Sequence, residues 1–455
     1  MFFLGGVTGI IYMMLSPIWW LLFLGITIMI AVSINNRVGF LIILATLFGF
    51  HWLFGVFKAI PKELTWLPDI IIVALTGKML FLQARQKLFK KTTIDLALLM
   101  VILLGLVSAL YNNVSPITLV FGFRNFFKYV LMFYILRNIE HDEKFYRIFL
   151  ISLFVLALLQ IPVTIVQAIV YGNIGEDIAD NISGTLGWKA TGAMAIFMCF
   201  AIAIIIGFYT QTRKIIFLVL AASCMIPIIL GSGQFGFYIV PPVIIICWFL
   251  GNQKSLKNIL KIPILLATLS IFGLIGINFH DNIYRGNLLE SITSPAKFYQ
   301  FNFQLRKEGT FGRFQVIDVA NQMLAKNPLN LLIGFGPGNA SESFFREYSG
   351  DVEKQFQGRK IGGIQFTLII LEFGYIGLLL FVFIFFCLLR LNYKFYNNIE
   401  DKFWRSIAVG YYGILFAYMA GIFYNPVWFY DVLAFIFWFI SAALVNQWDS
   451  IKGVR

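Results

Sequence analysis

The run Gly312-Arg313-Phe-Gln-Val-Ile-Asp-Val-Ala-Asn-Gln-Met-Leu-Ala-Lys-Asn-Pro328, closed by Ile333-Gly-Phe-Gly-Pro-Gly338, decides how the rest of the chain is read. Phe314, Ile317, Ala320, Met323 and Leu324 recur near helical spacing with Asp318, Asn321 and Gln322 opposite, which predicts a surface helix. Thr310 suits its N-cap, which puts Arg313 in the first turn, and Asn327-Pro328 suits its stop. A second helix is predicted over Ala340 to Tyr348. The run lies in a polar insert from about His280 to Gly362, while the sequence on both sides is strongly apolar.

Outside the insert, apolar runs close to the roughly 20 residues that cross a hydrocarbon core occupy 38–57, 66–83, 95–111, 117–136, 149–171, 191–209, 215–230, 235–250, 262–277, 364–389, 407–424 and 427–445. With 60% hydrophobic and 13% charged side chains, the 455-residue chain is excluded from the water-soluble class. Its mean hydropathy of +0.83 agrees. The fold class expected is all-α: one polytopic membrane bundle, residues 1–455, of about twelve to fourteen transmembrane helices by hydropathy, with a single large outward, partly helical loop over 280–362. The count turns on Pro17 and on the weak span carrying Asp69 and Lys78. The N-terminal run has no basic residue before Arg37 and is expected to stay as an anchor.

The net charge of +13 is spread over short loops, the pattern of orientation by the positive-inside rule rather than of nucleic-acid binding. Loops carrying Arg85 to Lys91, Arg137 to Arg147, Arg213-Lys214 and Lys254 to Lys261 alternate with loops nearly free of positive charge, so the large insert faces outward. Arg390 to Arg405 and Lys452 to Arg455 put the C-terminus in the cytoplasm. Cys199, Cys224, Cys247 and Cys387 all lie in apolar runs, which suggests neither a disulfide scaffold nor a cysteine metal site.

An outward-facing enzyme has no nucleotide supply, so any synthesis it performs draws on a donor already activated, such as a sugar on a lipid diphosphate. Arginines suit such a group, because a planar guanidinium holds phosphoryl oxygens in bidentate fashion. The insert supplies Arg285, Arg306, Lys307, Arg313, Arg346 and Arg359; the alternative is that they pair with Glu308, Glu342, Glu347, Asp351 and Glu353. Arg313 stands out, since a cation in a helix's first turn opposes the dipole and calls for an anionic partner. Arg124 and Lys128 share a helix face within an apolar span, where charges are costly and functional, unless they snorkel or pair with Glu372. Lys189, within Gly187-Trp-Lys-Ala-Thr-Gly192, either faces a phosphate or anchors its span. The backbone donors of Gly336 and Gly338 suit an anion, although a plain turn has the same glycines. His280 is the one histidine near the insert, a general base or a surface residue. No metal-ligand spacing, nucleophile elbow or cofactor motif is visible.

The chain resembles the O-antigen ligase and O-antigen polymerase superfamily of bacterial surface-polysaccharide enzymes. The resemblance rests on the order of many spans, a late outward loop, Gly312-Arg313 opening an amphipathic helix, Asn327-Pro328, Gly334-Phe-Gly-Pro-Gly338 and then Leu371-Glu-Phe-Gly-Tyr-Ile-Gly377. It implies metal-independent transfer of saccharide from undecaprenyl diphosphate, at the outer face of a bacterial inner membrane and among membrane lipids, with Arg313 on the donor diphosphate. A chain-length regulator and other polysaccharide-assembly proteins are the partners it implies. Two positions depart from the pattern. Gly231-Ser-Gly-Gln234 stands where the superfamily often has Ser-Arg, and Gly362-Gly-Ile-Gln365 where it often has a histidine. Arg124 or Arg285 is then left to supply the charge, and Glu308 or His280 the base. Polymerase is the preferred subclass and ligase the alternative; a transporter or flippase of anionic lipid-linked saccharide, and a sensor or scaffold, are the rival classes.

Overall fold

The computed structural model describes residues 34–50, 62–86, 90–171, 181–187, 190–231, 234–252, 311–343, 346–356 and 361–453, with 29–32 and a few single or paired positions elsewhere. Residues 1–26, nearly all of the expected span at 262–277, and 280–310 apart from single positions lie outside the described residues. All secondary structure described is helical. The helices are α1 Asn36–Ala45, α2 Leu67–Gln86, α3 Asp95–Tyr111, α4 Pro116–Asn138, α5 Glu143–Tyr171, α6 Thr191–Thr212, α7 Ile216–Ser223, α8 Met225–Leu230 and α9 Gln234–Gly251. In the insert come α10 Gln315–Leu324, α11 Pro328–Ile333 and α12 Asp351–Gln355, and after it α13 Gln365–Asn398, α14 Lys402–Gly421 and α15 Asp431–Ile451.

Among the described residues, 6 helices are long and apolar enough to cross a membrane, and the weak span with Asp69 and Lys78 is one of them. Their starts follow from local chemistry. Ser115 accepts from Thr118 N at 3.2 Å with Pro116 at the first helical position of α4, and Asp401 accepts from Trp404 N at 3.0 Å at the head of α14. On α3, Leu96, Leu99, Leu103, Leu106 and Leu110 form one exposed stripe at helical spacing. An outer face as apolar as the core is what a helix solvated by lipid tails requires.

Backbones approach closely at the centre, where α6 packs on α14 and α9. Gly207 rests on Ser406 O and Gly410 on the Ile204 backbone, so a side chain at either glycine would push the helices apart. At one end of the bundle, Arg147 pairs with Glu143 at 2.6 Å and Asp401 at 2.8 Å, and Arg137 with Asp449 at 2.6 Å. The loop after α4, the loop before α14 and the end of α15 therefore share one face. The insert packs on α13 at the other end, through α10 and α11.

Two expectations for the insert are corrected. Helix α10 begins at Gln315, so Arg313 lies in the turn that leads into it, with Val316 N donating to Gly312 O at 3.1 Å. No helix spans 340–348; a single 3₁₀ turn, Arg346–Tyr348, is followed by α12. The backbone N–H groups at the start of that segment share one acceptor.

Candidate functional site

That acceptor is Glu372. Helix α13 is broken at Gly374, whose φ of 65° and ψ of −170° suit glycine alone. The break frees carbonyls above it, and the glycine-rich loop fills them: Phe335 N donates to Leu371 O at 2.6 Å and Gly336 N to Glu372 O at 3.1 Å. Gly334, Gly336 and Gly338 all have positive φ, which lets the loop wedge between α3, α4 and α13. Gly336 lies against Ala109 and Gly338 against Thr118 O, while Ser108 Oγ donates to Gly334 O at 2.9 Å.

The Glu372 side chain is fully enclosed. Its Oε2 accepts from Gly338 N at 2.8 Å, and its Oε1 from Ser341 N at 2.8 Å and Ala340 N at 3.2 Å. The sequence reading of Gly336, Gly338 and Glu372 as substrate contacts is corrected accordingly. The loop is an anion-binding nest, and the anion it binds is the chain's own carboxylate, which leaves those donors no capacity for a substrate.

Glu372 is also not the partner of Arg124 and Lys128. Arg124 holds Asp69 in bidentate fashion, Nε to Oδ1 at 2.7 Å and a terminal nitrogen to Oδ2 at 2.9 Å. Lys128 Nζ lies 3.3 Å from Asp69 Oδ2 and 2.8 Å from Asp431 Oδ1. Two cations meet two carboxylates, and the group ties α2, α4 and α15 together. A phosphate would have to displace a carboxylate, so the pair is assigned to structure.

Arg313 is half-buried, with its guanidinium carbon 3.6 Å from the Tyr424 ring centroid. Tyr424 in turn lies 4.6 Å from Phe235, at the start of α9 and beside Gly231 to Gln234. This cation–π contact fixes the position of the guanidinium at this end of the bundle. The neighbouring Asn425 accepts from Gln365 N at 3.1 Å through its backbone oxygen, and Gln365 Oε1 accepts from Trp428 N at 3.1 Å. The starts of α9 and α13 and the end of α14 thus meet around Arg313. Tyr375 OH donates to Asn321 Oδ1 at 2.8 Å, fixing α10 to α13 one residue beyond the break.

Glu353, on α12, was read from sequence only as a partner for arginines. Among the described residues no ion pair involves it, and it is 8% exposed. Burial, with Glu342 and Glu372 nearby, raises its carboxyl to about 7. Gly350 fits against Asn339, whose backbone oxygen accepts from Glu353 N at 3.0 Å, so the nest positions this acid. No sequence signal separates it from the other acids of the insert; Tyr424 had one, as an aromatic at a span end before Asn-Pro. Lys189, His280, Arg285, Arg306, Lys307 and Glu308 lie outside the described residues. Among the described residues no group of three or more His, Cys, Asp or Glu is gathered as a metal site would need. In comparisons with known proteins, no family model matches the chain and no curated protein matches it.

Proposed function

We propose that the protein is a membrane glycosyltransferase that polymerises undecaprenyl diphosphate-linked oligosaccharide units into a surface polysaccharide, with its insert on the outer face of a bacterial inner membrane and its C-terminus in the cytoplasm. The observation that carries the reading is the contact between the two motif pieces of the resemblance. The loop Gly334–Gly338 and the segment Leu371–Gly377 are joined by Glu372, and Arg313 stands at the same end on Tyr424.

The chemistry is an inverting displacement without a metal. The acceptor hydroxyl oxygen bonds to the anomeric carbon, the bond from that carbon to the phosphate oxygen breaks, and the lipid diphosphate leaves with the electron pair. Arg313 stabilises the charge that grows on the leaving group. A base takes the hydroxyl proton: Glu308 and His280 are the sequence candidates, and Glu353 is the one whose surroundings favour a proton acceptor working near neutral pH. With a lipid A core or another acceptor in place of a lipid-linked glycan, the same chemistry is a ligation.

The break in α13 also suits the discontinuous helices of transporters. There the freed groups receive the substrate, whereas here Leu371 O and Glu372 O already accept from Phe335 and Gly336. The test is direct. Purified protein given lipid-diphosphate oligosaccharide is expected to yield longer glycans and free lipid diphosphate, and Arg313→Ala to lose about 10²- to 10³-fold in rate. Equal turnover by the variant would remove the phosphate role of Arg313.

A further inference from the structure

Two amide groups next to Tyr424, the ring that Arg313 contacts, have buried donors that nothing described receives. Gln365 is fully enclosed, and its oxygen is committed to Trp428 N at 3.1 Å, which fixes the amide's orientation and leaves Nε2 as the open end. Among the described residues, Nε2 of Gln365 and Nδ2 of Asn425 are buried without an acceptor. The two residues are joined directly, Gln365 N to Asn425 O at 3.1 Å. Gly192 lies against the Asn425 amide nitrogen, which leaves no room for a side chain at 192. Asn425 follows Tyr424, the ring under the Arg313 guanidinium. Buried N–H groups are costly to leave unpaired.

The chemistry of the wall is one-sided. Both amides offer N–H donors and the adjacent side chain is a cation, so a complementary ligand brings acceptor oxygens with negative charge. We infer that Gln365 and Asn425 form, with Arg313, a donor-lined recess that receives the phosphoryl oxygens of a lipid-linked diphosphate. The inference rests on the proposed function for its ligand. It adds two neutral donors to the arginine and places the diphosphate between the start of α13 and the residues that follow α14, next to Gly192 in the first turn of α6. Neutral donors hold a leaving group's oxygens without raising the cost of its later release as much as further cations would.

The test uses the full chain in detergent, with farnesyl diphosphate as the probe and calorimetry as the readout. Gln365→Glu retains the oxygen that receives Trp428 N and removes the donor; Asn425→Asp does the same at the second position. Each is expected to weaken farnesyl diphosphate binding about ten- to a hundred-fold, the scale of a hydrogen bond to a charged group, and thermal stability is read in parallel, since a carboxylate at an enclosed position costs stability of its own. Should a new carboxylate unfold the protein, the neutral Asn425→Leu reads the same loss. Parallel titrations with inorganic diphosphate and with phosphatidylglycerol separate a diphosphate site from a general headgroup site. Undiminished binding in either variant, or phosphatidylglycerol binding as tight as farnesyl diphosphate, overturns the assignment. Glycan transfer is scored separately: its absence in wild type sinks the enzyme reading, whereas transfer at an unchanged donor KM in both variants sinks only the amide recess.

Discussion

Replacing Glu353 by glutamine should make the protein more stable at alkaline pH, and the size of the effect follows from where its carboxyl sits. Burial, with Glu342 and Glu372 nearby, lifts the group from the usual 4.5 to about 7. Below pH 4.5 the acid is protonated whether the chain is folded or not, and it imposes no penalty. As pH rises toward 7 the unfolded chain ionises while the folded one keeps its proton, so stability falls; above 7 the full penalty applies. At about 1.36 kcal/mol per pH unit, the interval amounts to about 3 kcal/mol, an upper figure because 8% of the residue still meets water. Glutamine has the shape of the protonated acid and does not ionise. Thermal unfolding in detergent from pH 5 to pH 8.5 should show wild type losing stability on the alkaline side, with Glu353→Gln flatter and the higher of the two at pH 8. Parallel curves would refute the burial argument. If Glu353 is also the base, the stabilised variant should be slow in transfer, as expected where an active group is held against its preferred state.

Gly374→Ala should cost at least about 1–3 kcal/mol from backbone strain alone, because alanine disfavours a φ of 65° and its methyl group would meet Leu332 O; a melting temperature unchanged from wild type would contradict the break. Asp69→Asn should lower stability by about 1–3 kcal/mol through loss of the bidentate partner of Arg124, with the donor KM unchanged. A raised KM with normal stability would instead return Arg124 to the substrate.

Much of the bundle was legible because lipid imposes simple rules. The span expected at 117–136 lies within Pro116–Asn138, one of the 6 long apolar helices, while the run expected at 95–111 is helical over Asp95–Tyr111 but, at 17 residues, is one of the shorter apolar helices. The helix around Ala320 was legible and its buried face only in part: Ala320 and Leu324 are buried as expected, but so is Val316, and Asn321, expected opposite, receives Tyr375 OH from α13. The pairing of Arg124 was not, because its partner lies 55 positions away on a helix whose neighbours no periodicity specifies. Glu372 was misread for a related reason. Its charge signals function in an apolar span, yet its ligands are backbone N–H groups, which every residue but proline carries and hydropathy does not register. Gly334, Gly336 and Gly338 did announce unusual backbone, but not what it would hold.

The knot at Glu372 also imposes an order on biogenesis. Its backbone donors are made first and its carboxylate arrives 34 positions after Gly338, on the span that follows the cap. A nascent chain halted before that span has a loop of inward-pointing amides and no counter-ion, so the cap cannot close until the next helix has been threaded into the bilayer. Final shaping of the insert thereby waits on a downstream segment, and an incomplete chain holds the glycine-rich loop without the residue that orders it.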